Sequence, residues 1–124
     1  MPRVALVVAA VDDDRRVRES VQSVLESAGY EAATFDSAEA FLSSGAIGRV
    51  VCVLTDVRLP GIDGIELQRR IRSASPTLPV IFMTAHDDDD VRQRALQDGA
   101  AAFMLKPFDG GELLEHIARV LRIE

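Results

Sequence analysis

The sequence predicts an α/β fold in which a five-stranded parallel sheet carries helices on both faces. Short runs of valine and other apolar residues alternate five times with stretches whose apolar residues recur at helical spacing. The short runs lack two-residue alternation, which is typical of parallel strands buried on both faces. Because helices between such strands cover the sheet, the pattern favours five consecutive strand–helix units.

The first half of the chain is predicted to hold three strands and two helices. The strands are Val4–Val11, Glu31–Thr34 and Val50–Thr55. Gly29 ends the first helix, and the second begins near Ser37-Ala38-Glu39. The apolar residues of the first helix that share one face are Val17, Val21, Val24, Leu25 and Ala28.

The second half continues the same alternation. A third helix begins at Gly64, and a fourth covers about Asp88–Gln97. The fourth and fifth strands are Val80–Met83 and Ala101–Leu105. The last helix shows the widest apolar face. Its members are Leu113, Leu114, Ile117, Val120 and Leu121.

Length and composition restrict the class of protein. The 124 residues suit one compact domain, and nearly half of them are hydrophobic, which disfavours disorder. We find no run of eighteen apolar residues and no signal peptide, so we expect a soluble, cytoplasmic protein without a membrane partner. The net charge of −6 disfavours direct nucleic-acid binding. Cys52 lies within a predicted strand and is expected to be a small buried hydrophobe.

Polar side chains follow four of the five predicted strands. The triplet Asp12-Asp13-Asp14 follows the first strand, Asp56 the third, Thr84 the fourth and Lys106 the fifth. Because parallel strands place their carboxyl ends at one edge of the sheet, where ligands bind, we expect these side chains to converge. The second strand contributes nothing, which agrees with an edge position in the strand order 2-1-3-4-5.

The converging carboxylates favour a magnesium site. Three carboxylates repel one another unless a cation is present, and Mg²⁺ prefers oxygen ligands. Asp13 and Asp56 are the first-choice ligands, with Asp12 in support. The backbone carbonyl of Arg58, in the loop after Asp56, is a further candidate ligand. We expect Mn²⁺ to be able to replace Mg²⁺.

The same residues suit phosphoryl transfer to Asp56. A carboxylate can attack a phosphoryl group and form an aspartyl phosphate. The transferred group carries negative charge, so its catalysis is mainly positioning and electrostatics. Lys106 would supply positive charge, and the Thr84 hydroxyl would supply a hydrogen bond. Asp14 is expected to cap the first helix, a role that Asp12 could share.

Four strings of sequence contain these residues. They are Val11-Asp12-Asp13-Asp14, Leu54-Thr55-Asp56-Val57-Arg58-Leu59-Pro60-Gly61-Ile62-Asp63-Gly64, Phe82-Met83-Thr84-Ala85 and Phe103-Met104-Leu105-Lys106-Pro107-Phe108. Together they resemble the receiver domain of two-component response regulators over essentially the whole chain. The string after Leu54 and the Lys-Pro-Phe ending are most similar to the FixJ/NarL group, whose members usually carry a C-terminal helix-turn-helix.

The resemblance implies a flavodoxin-like (βα)5 topology and a role for each residue of the acid site. Asp56 would accept a phosphoryl group from a sensor histidine kinase, Asp12 and Asp13 would hold Mg²⁺, and Lys106 would pair with the phosphoryl group. Such a domain is a signalling switch that catalyses its own phosphorylation and dephosphorylation. It is not an enzyme acting on separate substrates.

The resemblance also implies a conformational switch. Thr84 would move toward the phosphoryl group, and Phe103 would turn inward, although core packing is an equally good interpretation of Phe103. The Lys106–Pro107 peptide is expected to be cis. The face formed by helix 4, strand 5 and helix 5 would then control homodimerisation or an effector.

We therefore expect residues 1–124 to form a single receiver domain with a transcriptional output. Any helix-turn-helix domain is absent from this chain and would belong to a longer parent. Asp87–Asp90 is interpreted as the solvated first turn of helix 4, with a role in partner choice as the sharper alternative.

Three other classes share parts of this pattern. A flavin-binding electron carrier is disfavoured because an acidic triplet would repel the flavin phosphate. A magnesium phosphohydrolase of the haloacid-dehalogenase type would need an Asp where Arg58 stands. A pseudo-receiver that binds partners without phosphorylation keeps the fold but normally loses part of the acid site, so it is the serious alternative.

Overall fold

The computed structural model describes residues 5–122 and has the predicted α/β architecture. Five parallel strands form one sheet in the order β2-β1-β3-β4-β5. The strands are β1 Val7–Val11, β2 Glu31–Phe35, β3 Cys52–Asp56, β4 Val80–Thr84 and β5 Ala102–Leu105. The helices are α1 Arg15–Ser27, α2 Ala38–Ser43, α3 Gly64–Ala74, α4 Asp89–Gln97 and α5 Gly110–Leu121.

The sheet is covered on both faces, and each face has its own apolar core. One core joins residues such as Phe41 of α2, Ile71 of α3 and Ala95 of α4 to β3 and β4. The other joins Leu25 of α1 and Ile117 of α5 to the opposite side of the same strands. Every residue of β3 and β4 is buried, which explains why their sequences show no two-residue alternation.

The first and third strands begin later than the sequence predicts. The predicted first strand began at Val4, which lies outside the described residues, whereas β1 begins at Val7 because its pairing with β2 begins at Val7 and Glu31. The predicted third strand began at Val50. Its N–H instead donates to the Ala46 carbonyl at 3.0 Å after a short 3-10 turn, so β3 begins two residues later.

At the other end, Asp56 belongs to β3 rather than following it, since it pairs with Met83 of β4. Thr84 is likewise the last residue of β4. The fifth strand begins at Ala102 and not at Ala101. These shifts of one to three residues leave Asp12, Asp13, Asp56, Thr84 and Lys106 at the carboxyl edge of the sheet, whereas Phe103 lies within β5.

Each of the five α-helices begins with a side-chain cap, including the Asp14 cap that the sequence predicts. Asp14, Ser37, Asp63, Asp88 and Asp109 each cap the helix that follows, with a side-chain oxygen that accepts a backbone N–H. The acidic residues after Asp88 therefore lie in the first turn of α4, where negative charge suits the helix dipole. Within residues 5–122, none of the helices combines the length and apolar character that crossing a bilayer requires.

Cys52 is expected to be chemically inert in the folded protein. Its side chain is fully buried in β3, and burial raises the pKa of the thiol to about 12. Because the thiolate is the reactive form, modification needs unfolding. At pH 8 we expect a disulfide reagent such as DTNB to react at least about 1000-fold more slowly than in urea, given the small unfolded fraction of a stable domain. Equal rates in the two conditions would contradict this burial.

Candidate phosphoryl-acceptor site

Three carboxylates meet at the carboxyl edge of the sheet. Asp12 and Asp13 follow β1, and Asp56 ends the neighbouring strand β3. One oxygen from each carboxylate lies within 4.8 Å of the other two. Asp12 is fully buried and Asp56 nearly so, while Asp13 is exposed. The cluster is therefore enclosed on the protein side and open to solvent through Asp13.

Lys106 bridges two of these carboxylates. Its Nζ lies 2.6 Å from Asp12 Oδ2 and 2.9 Å from Asp56 Oδ2. The lysine reaches them from the end of β5, which lies at the far edge of the sheet from β2. Its side chain is 15% exposed, so water screens these two ion pairs only weakly. Residues separated by 94 positions of sequence thus share one hydrogen-bonded group.

Burial and charge act in opposite directions on these groups. Burial raises the pKa of Asp12, and the charge of Asp56 adds to that increase, while Lys106 and the Asp14 N–H partly offset it. Burial alone would lower the pKa of Lys106, but its hydrogen bonds to Asp12 and Asp56 outweigh burial and raise it. Lys106 is therefore held as a cation, and Asp12 is an acid whose ionised form further positive charge would stabilise.

Asp12 is fixed through four hydrogen bonds. Its backbone N–H donates to the Phe35 carbonyl at 3.1 Å, and its Oδ1 accepts the Asp14 N–H at 2.9 Å. Its Oδ2 accepts from Lys106, and its carbonyl accepts from Arg18 Nη1 at 2.7 Å. Sequence reasoning missed Arg18, because the contact depends on how α1 returns over the end of β1.

The loop after Asp56 is also held in place. The Gly64 N–H donates to the Val57 carbonyl at 2.8 Å and closes the loop at its base. The Arg58 N–H donates to Asp56 Oδ1 at 3.1 Å, so the loop backbone folds back over the Asp56 carboxylate. The position of the Arg58 carbonyl as a cation ligand remains a prediction. Outside the loop, Glu39 Oε2 accepts the Ile62 N–H at 3.2 Å, a contact that sequence reasoning also missed.

The predicted switch residues lie on two neighbouring strands, Thr84 at the end of β4 and Phe103 within β5. Thr84 is 2% exposed, and its Oγ1 accepts the His86 N–H at 3.2 Å. Its carbonyl accepts the Lys106 N–H at 2.7 Å, which ties the ends of β4 and β5 together. Phe103 is half-buried and packs against Phe82, with ring centroids 6.2 Å apart. The Lys106–Pro107 peptide is cis.

The carboxylates suit a small hard cation. Neighbouring oxygens around an octahedral Mg²⁺ lie about 3 Å apart and opposite ones about 4 Å apart, for ligand distances of about 2.1 Å. The three carboxylate oxygens, all within 4.8 Å of one another, need only small movements to reach such spacing. One of them is solvent-exposed, which leaves room for waters or a phosphate oxygen. The cluster is therefore compatible with Mg²⁺ in ligand type and could reach the required spacing by small movements.

Comparison with known proteins identifies the family to which the chain is similar. A family model for the response regulator receiver domain matches residues 8–118. The transcriptional regulatory protein FixJ of Azorhizobium caulinodans is 41% identical over 110 residues, covering 89% of this chain and 52% of FixJ. FixJ of Bradyrhizobium diazoefficiens is 37% identical over 115 residues, covering 93% of this chain and 56% of FixJ.

The fold is shared with solved receiver structures. The chemotaxis protein CheY4 of Vibrio cholerae superposes with a TM-score of 0.87 at 28% identity, covering 94% of this chain and 99% of CheY4. This chain spans about half the length of the FixJ relatives that it matches. The matched family model, the identity to FixJ and the doubly wound sheet all agree: this chain belongs to the response regulator receiver domain family.

Proposed function

We propose that this chain is the phosphoacceptor switch of a two-component phosphorelay and receives a phosphoryl group on Asp56 from a sensor histidine kinase. The observation that supports this most directly is the Asp56 carboxylate itself. It lies at the solvent-facing edge of the sheet, 2.9 Å from the Lys106 ammonium and within a cluster of two further carboxylates. A nucleophile, a cation and candidate metal ligands are thereby brought to one place.

In the proposed reaction an Asp56 oxygen attacks phosphorus, and the bond from phosphorus to the donor breaks. The donor leaves with the bonding electron pair: the imidazole nitrogen of a phosphohistidine, or acetate from acetyl phosphate. Lys106 can exchange its contact with Asp56 for one with a phosphoryl oxygen and keep Asp12 as its second partner. The Arg58 N–H is placed to donate to the same group. Mg²⁺ held by Asp12, Asp13 and Asp56 would neutralise negative charge on the phosphoryl oxygens.

Phosphorylation is proposed to shift an existing equilibrium between two conformations. The phosphoryl group would favour the state in which Thr84 and Lys106 contact it. Phe103 would turn inward as Thr84 moves, and the change would reach the face formed by α4, β5 and α5. That face carries two large apolar side chains with substantial exposure, Leu96 at 46% and Leu105 at 41%. Such exposure supports a homodimer or effector contact there.

The output is proposed to be transcriptional and to depend on a parent chain longer than residues 1–124. The FixJ relatives are named transcriptional regulatory proteins, and this chain matches about half of each. In this proposal, the 124 residues form the receiver domain, and a helix-turn-helix domain of the parent contacts DNA.

Intact mass measured after incubation with acetyl phosphate tests the proposal. We expect one added phosphoryl group in the presence of Mg²⁺, a similar result with Mn²⁺, and none after chelation with EDTA. Beryllofluoride, a stable phosphoryl mimic, should change the NMR signals of Thr84 and Phe103 under the same conditions. A chain that forms no adduct and gives no response to beryllofluoride would be a phosphorylation-independent interaction module, which would overturn the proposal.

A further inference from the structure

Glu39 lies on α2, outside every group discussed in the proposed reaction, yet it contacts the loop that carries Arg58. Its Oε2 accepts the Ile62 N–H at 3.2 Å across 23 positions of sequence. Glu39 lies in the first turn of α2, which Ser37 caps, so the helix start is fixed and its side chain is aimed from a defined position. α2 is thereby linked directly to the loop between β3 and α3.

A second observation shows how closely the carboxylate approaches that loop. Gly61 adopts a left-handed φ of +75°, and a Cβ built there would lie 2.1 Å from Glu39 Oε2. The carboxylate, at the end of an exposed side chain, lies where a Cβ at position 61 would be and would have to move to admit one. Both the backbone conformation and the Glu39 contact favour glycine at this position.

The remaining bonds of the loop explain why this contact matters. The bond from Gly64 to Val57 closes the base, and the bond from Arg58 ends on Asp56, the group that would be phosphorylated. When Asp56 reacts, one of its two oxygens joins phosphorus, so the bond from Arg58 ends on a group whose charge and shape change. The Glu39 contact, in contrast, holds the loop at Ile62 through a side chain that takes no part in the proposed reaction.

We propose that Glu39 is a positioning residue: its carboxylate holds the Pro60–Ile62 turn so that the Arg58 backbone faces the acid cluster. This inference depends on the proposed function, because the positioned groups serve cation binding and phosphoryl transfer. Removing Glu39 leaves the three carboxylates and Lys106 untouched but lets the loop adopt other conformations. Cation binding and phosphorylation then each require the loop to be reordered.

The Glu39→Ala and Glu39→Gln variants test the role. Side chains that orient metal ligands typically change metal affinity 10- to 100-fold, and a contact that acts only through a loop should give less. For Glu39→Ala we expect Mg²⁺ affinity, measured by calorimetry, to fall about 3- to 10-fold, with a similar decrease in the acetyl phosphate rate at subsaturating Mg²⁺. Glu39→Gln keeps an oxygen that can accept the Ile62 N–H, so it should retain most of the Mg²⁺ affinity and most of the acetyl phosphate rate.

Hydrogen exchange and a control variant separate positioning from general damage. The Ile62 amide should exchange faster in Glu39→Ala than in the wild type or in Glu39→Gln, and the midpoint of urea unfolding should be nearly unchanged. Ser43→Ala alters α2 without contacting the loop and should match the wild type throughout.

The outcomes distinguish this inference from the proposed function. If the wild type neither binds Mg²⁺ nor gains a phosphoryl group, the proposed function fails. If the wild type does both and Glu39→Ala does so equally well, the positioning role is wrong even though the function stands. Equal losses in Glu39→Gln and Glu39→Ala would show that charge, not hydrogen-bond acceptance, is what matters, and would overturn the proposed contact mechanism.

Discussion

The Asp56→Asn variant is expected to gain no phosphoryl group from acetyl phosphate, at any Mg²⁺ concentration. The neutral amide oxygen is a poor nucleophile, and the substitution also removes one oxygen ligand from the acid cluster. Loss of a residue that forms a covalent intermediate commonly lowers the rate by at least about a thousandfold. Intact mass measured under conditions that fully modify the wild type would reveal this loss as an unshifted peak.

A matched substitution controls for the loss of one negative charge. Asp36 is exposed and follows β2 at the same edge of the sheet, but it is not part of the carboxylate cluster. Asp36→Asn should therefore be modified at the wild-type rate. Lys106 keeps its 2.6 Å contact with Asp12 in the Asp56→Asn variant, so the fold should persist. An adduct on Asp56→Asn, located by peptide mapping on Asp12 or Asp13, would move the acceptor role to that residue.

The fold could be predicted because its strands are buried on both faces. Residues such as Val53 and Ile81 must be apolar whichever way they point, so β3 and β4 are visible in the sequence as unbroken apolar runs. The first residue of each strand was less predictable, because a strand begins where a neighbouring strand is available for backbone hydrogen bonds. Val50 is as apolar as its neighbours, but its N–H bonds to a helical turn instead of to the sheet.

The acid cluster could be predicted because its members differ chemically from the strands that carry them. Asp12, Asp56 and Lys106 each interrupt or end an apolar run. The sequence could not show which of these charged side chains form ion pairs with one another. From residue types alone, the neutralising charge is predicted to come from Mg²⁺, and Lys106 is predicted to pair with the phosphoryl group. The structure shows that Lys106 also contacts two of the three carboxylates directly and offsets part of their negative charge.

Contacts from a side chain to a backbone group of another element lay beyond sequence reasoning. Arg18 and Glu39 look like ordinary exposed helix residues, and nothing in their local sequence marks the backbone groups that they contact. Each forms a hydrogen bond with a backbone atom, and backbone atoms are the same in nearly every residue, so the sequence does not mark them as partners. Such residues fix the shape of the site, whereas the reactive residues fix its chemistry, and only the second property can be read from residue type.

Gly64 shows how a residue without a side chain can be required at this site, and its substitution should have the largest effect on stability. A Cβ at Gly64 would lie 2.2 Å from the Asp56 carbonyl oxygen and 2.9 Å from Val57 Cα. Both partners are backbone atoms, so no side chain can rotate away to make room. Either the start of α3 or the end of β3 must move, and the 2.8 Å bond from Gly64 to Val57 is strained in both cases.

We expect Gly64→Ala to lower the free energy of unfolding by about 1–3 kcal/mol, the usual range for overpacking. Because the displaced carbonyl belongs to Asp56, Mg²⁺ affinity and the phosphorylation rate should fall together with stability.

Gly48→Ala is the matched control: a Cβ there meets nothing within 4 Å. Removing that glycine should leave stability unchanged or raise it by about 0.4–1 kcal/mol by restricting the unfolded chain. Urea unfolding followed by circular dichroism compares the two variants. Equal stability of the two variants would show that the backbone of Asp56 and Val57 is not packed against Gly64. It would also contradict the proposal that the closed base of the loop holds Asp56 in the acid cluster.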